Sequence, residues 1–284
     1  MQRFYPFLFV FLWSTGFIGA KYGLPYAEPL SFLLTRYGFV IALMLLIALA
    51  TRAPWPKDPA QWLHIGVSGV LVHAIYLGGV FVAIKHGLPA GVTALVVGMQ
   101  PLLTAFGAGW LLGEKVSGRQ WGGLALGFIG VGLVVSGKFG EAALGPMLIP
   151  ALVALLGITA GTLYQKRFCA KFDLRTGSVI QFVPTAVVTA IAIALFEDFR
   201  IEWTGQFVFA LGWLVLVLSI GAISLLNLLI RSGSAVNVAS LFYLTPLSTA
   251  LIAWVIFGEK LTLTAAAGML LAVSGVYLVA RPAK

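Results

Sequence analysis

Charge is scarce in this chain of 284 residues: only 10% are Asp, Glu, Lys or Arg, where a soluble domain carries about 25%. Apolar residues make up 60%, and the mean hydropathy is +1.02. A soluble fold of this length has too little polar surface to cover so much apolar side chain. That excludes a soluble enzyme and a disordered chain. Cysteine is nearly absent; Cys169 alone permits neither a disulfide framework nor a thiolate metal site. Asparagine occurs only as Asn227 and Asn237, and neither opens a glycosylation sequon. No Asp or Glu falls in the central part of any long apolar run, and neither His-Glu-x-x-His nor Gly-x-Ser-x-Gly is present. An intramembrane enzyme needs such a constellation, so no catalytic residue, metal or cofactor is expected. A channel is disfavoured as well, because no ring of charged residues or repeated carbonyl-donating loop is seen.

What the chain has in abundance is apolar runs of bilayer length. A spanning helix needs about 20 mostly apolar residues. Charged, Pro and Gly clusters divide the sequence into ten such runs: Phe4–Tyr22, Leu30–Ala50, Trp62–Ile84, Ala90–Leu112, Gln120–Gly137, Leu148–Gln165, Gly177–Phe196, Phe207–Ile230, Val236–Phe257 and Leu263–Ala280. The runs are long and continuous, without the alternation of a membrane barrel, so the fold class predicted is an all-α polytopic membrane protein. The first run reaches span length and lacks a small-residue cleavage site, which reads as a retained helix.

The net charge of +9 raises nucleic acid as a partner, but its distribution does not support one. With the N-terminus on the cytoplasmic side, twelve of the 18 Lys and Arg fall on that side with three acids, and six fall opposite with six acids. The excess is therefore all on one face, as the positive-inside rule requires of short loops. No basic stripe for nucleic acid remains. Both termini are expected to be cytoplasmic, in a bacterial-type inner membrane.

The two halves resemble each other at an offset of 145. Ala94–Ala105, with Gln100-Pro101, aligns with Ala239–Ala250, with Thr245-Pro246, and Gly113-Glu114-Lys115 meets Gly258-Glu259-Lys260. About 15 of the 46 positions from Gly91 to Ser136 are identical to those 145 further on. Five spans per half is an odd number, so the second half enters the membrane from the opposite side. The expectation is two inverted five-helix repeats, residues 1–139 and 146–284, with the substrate site near mid-bilayer at their interface.

Ten spans in two halves, Trp13-Ser14-Thr15-Gly16-Phe17, Arg36 at the start of the second span, and a Pro followed by Gly-Glu-Lys in each half resemble the drug/metabolite transporter superfamily, EamA-type. The overall likeness is greatest to the YddG-type aromatic amino acid exporters. The second half departs from the pattern: Gly157-Ile158-Thr159-Ala160-Gly161 lacks the tryptophan, and Gln181 stands where Arg36 does. The resemblance implies export by alternating access. Aromatic or apolar amino acids are the first candidates, with threonine or methionine next, and a nucleotide-sugar or drug/metabolite carrier is the alternative.

Candidate substrate-binding residues follow from rarity and depth. His73 is read as the only clearly deep ionisable group, with Tyr76 one turn further on the same face. Trp13 and Tyr164 lie on the first helices of the two halves, expected to face each other. Met99, Gln100, Tyr243 and Thr245 flank Pro101 and Pro246, which are read as helix kinks freeing backbone carbonyls. Ser224 and Asn227 are mid-span polar groups that need partners. Such rings with few polar groups suit a zwitterion carrying an apolar side chain. The embedded carboxylate of a proton-driven antiporter is missing, which favours a facilitator, or weak coupling through histidine. Small-xxx-small spacing at Gly123 and Gly127, and at Gly268 and Ala272, marks close helix packing on the fifth and tenth spans. That face is a candidate dimer surface on what is otherwise expected to be a monomer.

Overall fold

The computed structural model describes residues 4–88, 90–136, 146, 148–169, 171–257 and 262–280. Both chain ends, Glu141 and the Gly258-Glu259-Lys260 block lie outside them. Among the described residues the chain is helical, apart from connecting loops and one antiparallel bridge, Ala27 with Ile201. We label the helical stretches in order: α1 (Tyr5–Gly23), α2 (Pro29–Ala50), α3 (Pro59–Lys85), α4 (Ala90–Val97 and Gln100–Leu111), α5 (Gly118–Val135), α6 (Leu148–Phe168), α7 (Leu174–Phe196), α8 (Gly205–Ser232), α9 (Ala235–Ser240 continuing to Phe257) and α10 (Leu263–Ala280). Eight of them, all but α5 and α9, are long and apolar enough to cross a membrane.

The ends of these helices are written locally. Asp58, Ser117, Asp173, Thr204 and Ser234 each accept a backbone N–H in the first turn of the helix that follows, the usual work of short polar residues at that position. The start of α2 is capped at long range: Glu197 accepts from the N–H groups of Leu30 and Ser31 at 3.0–3.1 Å. Outward faces carry large apolar side chains such as Phe39, Trp110, Leu195 and Leu270, a sheath no soluble monomer exposes.

Three refinements of the sequence expectation concern helix interiors. First, α3 and α8 each contain a π-helical segment, Val70–Leu77 and Leu214–Ala222; wider turns of this kind cluster at functional sites. Second, the interruption in α4 falls at Gly98-Met99, and that in α9 is the tight turn Leu241–Tyr243. Pro101 and Pro246 thus lie just after the interruption of their span rather than within a regular helical stretch. Each sits in the first turn of the segment after the break, where a missing N–H costs nothing. Third, the proline inside a helix is Pro184, in α7.

Element bounds recur at the offset of 145. Adding it to α2 gives 174–195, to α5 gives 263–280, and to the π segment of α3 gives 215–222. Counterpart helices also pack on each other. A Cβ on Gly123 would lie 2.7 Å from the Gly275 carbonyl oxygen, and one on Gly130 would lie 2.6 Å from that of Gly268. The low end of one helix thus meets the high end of the other, so α5 and α10 run antiparallel in near-backbone contact. These glycines are spent on an internal contact, so the small-residue face is not free for a dimer. The pair α2 and α7 is antiparallel too. Leu30 meets Glu197, Tyr37 meets Phe182, and the Thr176 hydroxyl donates to the Pro54 carbonyl.

The first helix of each half beds its glycines on a π segment of the other half. Gly16 of α1 faces Leu218 of α8, and Gly161 of α6 faces Val72 of α3. The main apolar core runs through this crossing.

Candidate substrate site

Trp13, Gly16 and Ala20 lie on one face of α1, by their spacing of three and four. Opposite them stand Tyr76 and Val80 of α3 and Leu214, Leu218 and Ile223 of α8, and together with Arg36 of α2 they enclose a cavity of about 40 Å³. The small residues Gly16 and Ala20 leave the space. Its aromatic wall is continuous: Trp13 stacks on Tyr76 at 6.3 Å with ring planes 9° apart, and meets Phe242 edge-on at 5.4 Å. At this size the cavity has room for a few water molecules and not for an amino acid, so a solute of that size enters only if helices move.

Arg36 was legible only as the cation that opens the second span. It is 3% exposed, which corrects the reading of His73 as the one deep ionisable group. Its Nε donates to Ser219 Oγ of α8 at 2.9 Å. Lys85 pairs with Glu28 and Arg175 with Asp173; among the described residues no carboxylate is seen paired with Arg36. A guanidinium carries five N–H donors in a planar fork suited to bidentate binding of a carboxylate. A buried charge without a partner is expensive and marks function in a membrane helix.

At the position 145 residues after Arg36, the chain builds something different. Gln165 of α6, Asn227 of α8 and Gln181 of α7 form a closed ring of amides. Gln165 Nε2 donates to Asn227 Oδ1 at 2.8 Å, Asn227 Nδ2 to Gln181 Oε1 at 3.5 Å, and Gln181 Nε2 to Gln165 Oε1 at 3.4 Å. The second Gln181 hydrogen goes to Ser68 Oγ of α3 at 3.1 Å. The mid-span amide of Asn227 therefore has its partners inside the protein.

The other sequence candidates separate into groups. Trp13 and Tyr76 line the cavity. His73 is buried on α3 but stacks on Phe182 at 4.3 Å rather than lining the cavity, and neither ring nitrogen has a hydrogen-bond partner. Tyr164 does not face Trp13: its hydroxyl meets His64 Nδ1 at 2.7 Å and its ring packs on Phe168. The offset explains this, because the counterpart of Trp13 is Ile158, nearly two turns from Tyr164 along α6. Met99 sits in the α4 break, and its carbonyl accepts from Leu102 and Leu103. Gln100 donates weakly to Thr162 at 3.4 Å and leaves its Oε1 unpaired. Tyr243 packs its ring on Gly127, and Thr245 offers its carbonyl to Ser14 at 3.3 Å. The Tyr243 and Thr245 hydroxyls lack hydrogen-bond partners. Ser224 is half-buried on α8.

Comparison with known proteins matches the EamA-like transporter family twice along the chain, over residues 4–136 and 145–281. A transporter of Bacillus subtilis, YvbV, is 30% identical over 95% of this chain and 88% of its own. An Escherichia coli protein named a probable amino-acid metabolite efflux pump is 26% identical, covering 95% and 92%. The inner membrane transporter YedA of the same organism is 26% identical, covering 90% and 83%. A crystal structure with 21% identity superimposes with a TM-score of 0.79 over 98% of this chain and 96% of that one, which shows a shared fold.

Proposed function

The chain belongs to the EamA-like transporter family, and from that premise we propose that it exports apolar and aromatic amino acids and their close relatives by alternating access. The observation that carries this reading is Arg36: a buried guanidinium with no counter-ion among the described residues, bordering a cavity walled by Trp13 and Tyr76. A carboxylate satisfies the guanidinium, and an apolar or aromatic side chain satisfies the wall, since ring contact adds about 0.5–1.5 kcal/mol beyond area burial. The efflux-pump name of a relative points the same way. A cationic drug is the wrong charge for this site.

In this reading α5 and α9 also cross the bilayer, giving ten spans in two inverted repeats, residues 1–139 and 146–284. The antiparallel run of α2 on α7 and of α5 on α10 supports inversion, and the double family match supports the repeat. Both termini then face the cytoplasm, and one half rocks against the other. No embedded carboxylate is available to carry a proton, so the solute gradient drives transport.

Liposomes holding the purified protein test this with labelled phenylalanine, threonine and a drug cation, with no proton gradient imposed. Arg36→Gln is expected to abolish flux of every carboxylate solute while the melting temperature stays within a few degrees. Flux of the cation alone, or carboxylate flux unchanged in Arg36→Gln, sinks the reading.

A further inference from the structure

The charge inventory of the membrane interior narrows the solute further. We propose that the site selects solutes whose only ionised group is a carboxylate, such as acylated or deaminated amino acids, over the zwitterionic amino acid itself. This rests on the reading above, in which Arg36 holds the carboxylate.

A zwitterion brings an ammonium into the same space, and among the described residues no carboxylate lines it. All nine Asp and Glu of the sequence lie at the ends of the apolar runs or between them. The acids that flank the start of α2 are committed elsewhere: Glu28 lies 3.7 Å from Lys85, and Glu197 caps α2. Glu28 also precedes Arg36 by eight residues, about 12 Å along a helix. Rocking of whole helices moves these acids with the interface and does not carry them to the cavity. What remains for an ammonium is the faces of Trp13 and Tyr76, and attraction to a ring is weaker than the loss of its water shell.

Net charge gives the same answer independently of any single contact. Arg36 with a bound monocarboxylate is neutral, whereas Arg36 with a bound zwitterion leaves one positive charge in a low-dielectric site. The neutral complex is the one that crosses the occluded state most readily. Blocking or removing the amine therefore improves the solute.

The test compares phenylalanine, N-acetylphenylalanine and phenethylamine in liposomes holding the full chain, each against protein-free vesicles at neutral pH. N-acetylphenylalanine is expected to move at least about tenfold faster than phenylalanine. Its flux should also respond to an imposed membrane potential, because each turnover carries one net negative charge. Phenylalanine flux equal to or faster than that of the acetylated form overturns the inference and leaves the proposed function standing. Transport of phenethylamine alone, or of none of the three, overturns the proposed function and this inference with it.

Discussion

The glycine contact between α5 and α10 makes a quantitative prediction. In Gly130→Ala the new Cβ would sit 2.5 Å from the Ala272 nitrogen and 2.6 Å from the Gly268 carbonyl oxygen. Both are backbone atoms that no rotamer change can clear. Ordinary contact is about an ångström longer, so the helices must part along the crossing. Overpacking of this kind costs about 1–3 kcal/mol. Gly275→Ala, its counterpart, meets the Gly123 carbonyl at 2.5 Å and Gly127 nitrogen at 2.6 Å and should cost the same. The control is Gly132→Ala on the same helix, where a Cβ meets nothing within 4 Å; helix propensity alone then stabilises by up to about 1 kcal/mol. The two clashes lie seven residues apart along each helix but on one crossing, and the same parting of the helices relieves both, so the double variant should cost less than the sum of the two. Cys169 supplies the assay. It is the only cysteine, it is 2% exposed, and burial pushes its thiol up to about 11, so maleimide labelling at neutral pH should report unfolding. Labelling curves for Gly130→Ala and Gly275→Ala that coincide with the parent, or with Gly132→Ala, would refute the close crossing.

Three further outcomes are expected. Trp13→Ala removes the stack on Tyr76 and should weaken apparent solute affinity two- to tenfold, about 0.5–1.5 kcal/mol, read as KM in a flux assay; an unchanged KM removes the ring from the site. Gln181→Leu opens the amide ring and leaves Gln165 Oε1 and Asn227 Nδ2 without their partner, while Ser68 keeps its bond to the Ile65 carbonyl. It should cost about 1–3 kcal/mol in a melt; an unchanged melting temperature would exclude the ring as a stabilising element. The Asp173 carboxylate is held below the usual range by the Arg175 side chain that hydrogen-bonds it. A depressed carboxylate stabilises above its unfolded pKa of about 3.9 and loses that contribution as pH falls through the lower folded value. Asp173→Asn should therefore lower the melting temperature at pH 6 and shrink the difference from the parent by pH 3; an equal difference at both would exclude the pair.

The helices were legible because hydropathy is a local signal, and a matched Pro in each half supplied an offset between them. The offset of 145 read from Ala94–Ala105 against Ala239–Ala250 is the one that relates α5 to α10 and the two π segments. The glycine spacing also pointed correctly to close packing, though not to which surface it served. Two features were hidden. The burial of Arg36 is not visible in α2 itself, whose neighbouring residues read as an ordinary span; it depends on Ser219, 183 residues away. The same holds for Gln181, which looked like a lost arginine and is one third of an amide ring closed by α6 and α8. Tyr164 misled because helices were matched as wholes; the register separates it from Trp13 by nearly two turns. The π segments carry no residue signature at all, and they became visible only from the backbone.

The unequal pair of Arg36 and Gln181 has a consequence for how such a carrier behaves at its two faces. Under the proposed alternating access, a guanidinium held only by a hydroxyl in one half and a closed amide ring in the other make the two facing states different in free energy. In a carrier driven only by its solute, that difference cannot shift the final ratio of concentrations, which thermodynamics fixes at equality of electrochemical potential. It can only divide the maximal rate and half-saturation unevenly between entry and exit, with their ratios equal on both sides. The asymmetry sets which direction saturates at the lower concentration, and never how far the solute runs.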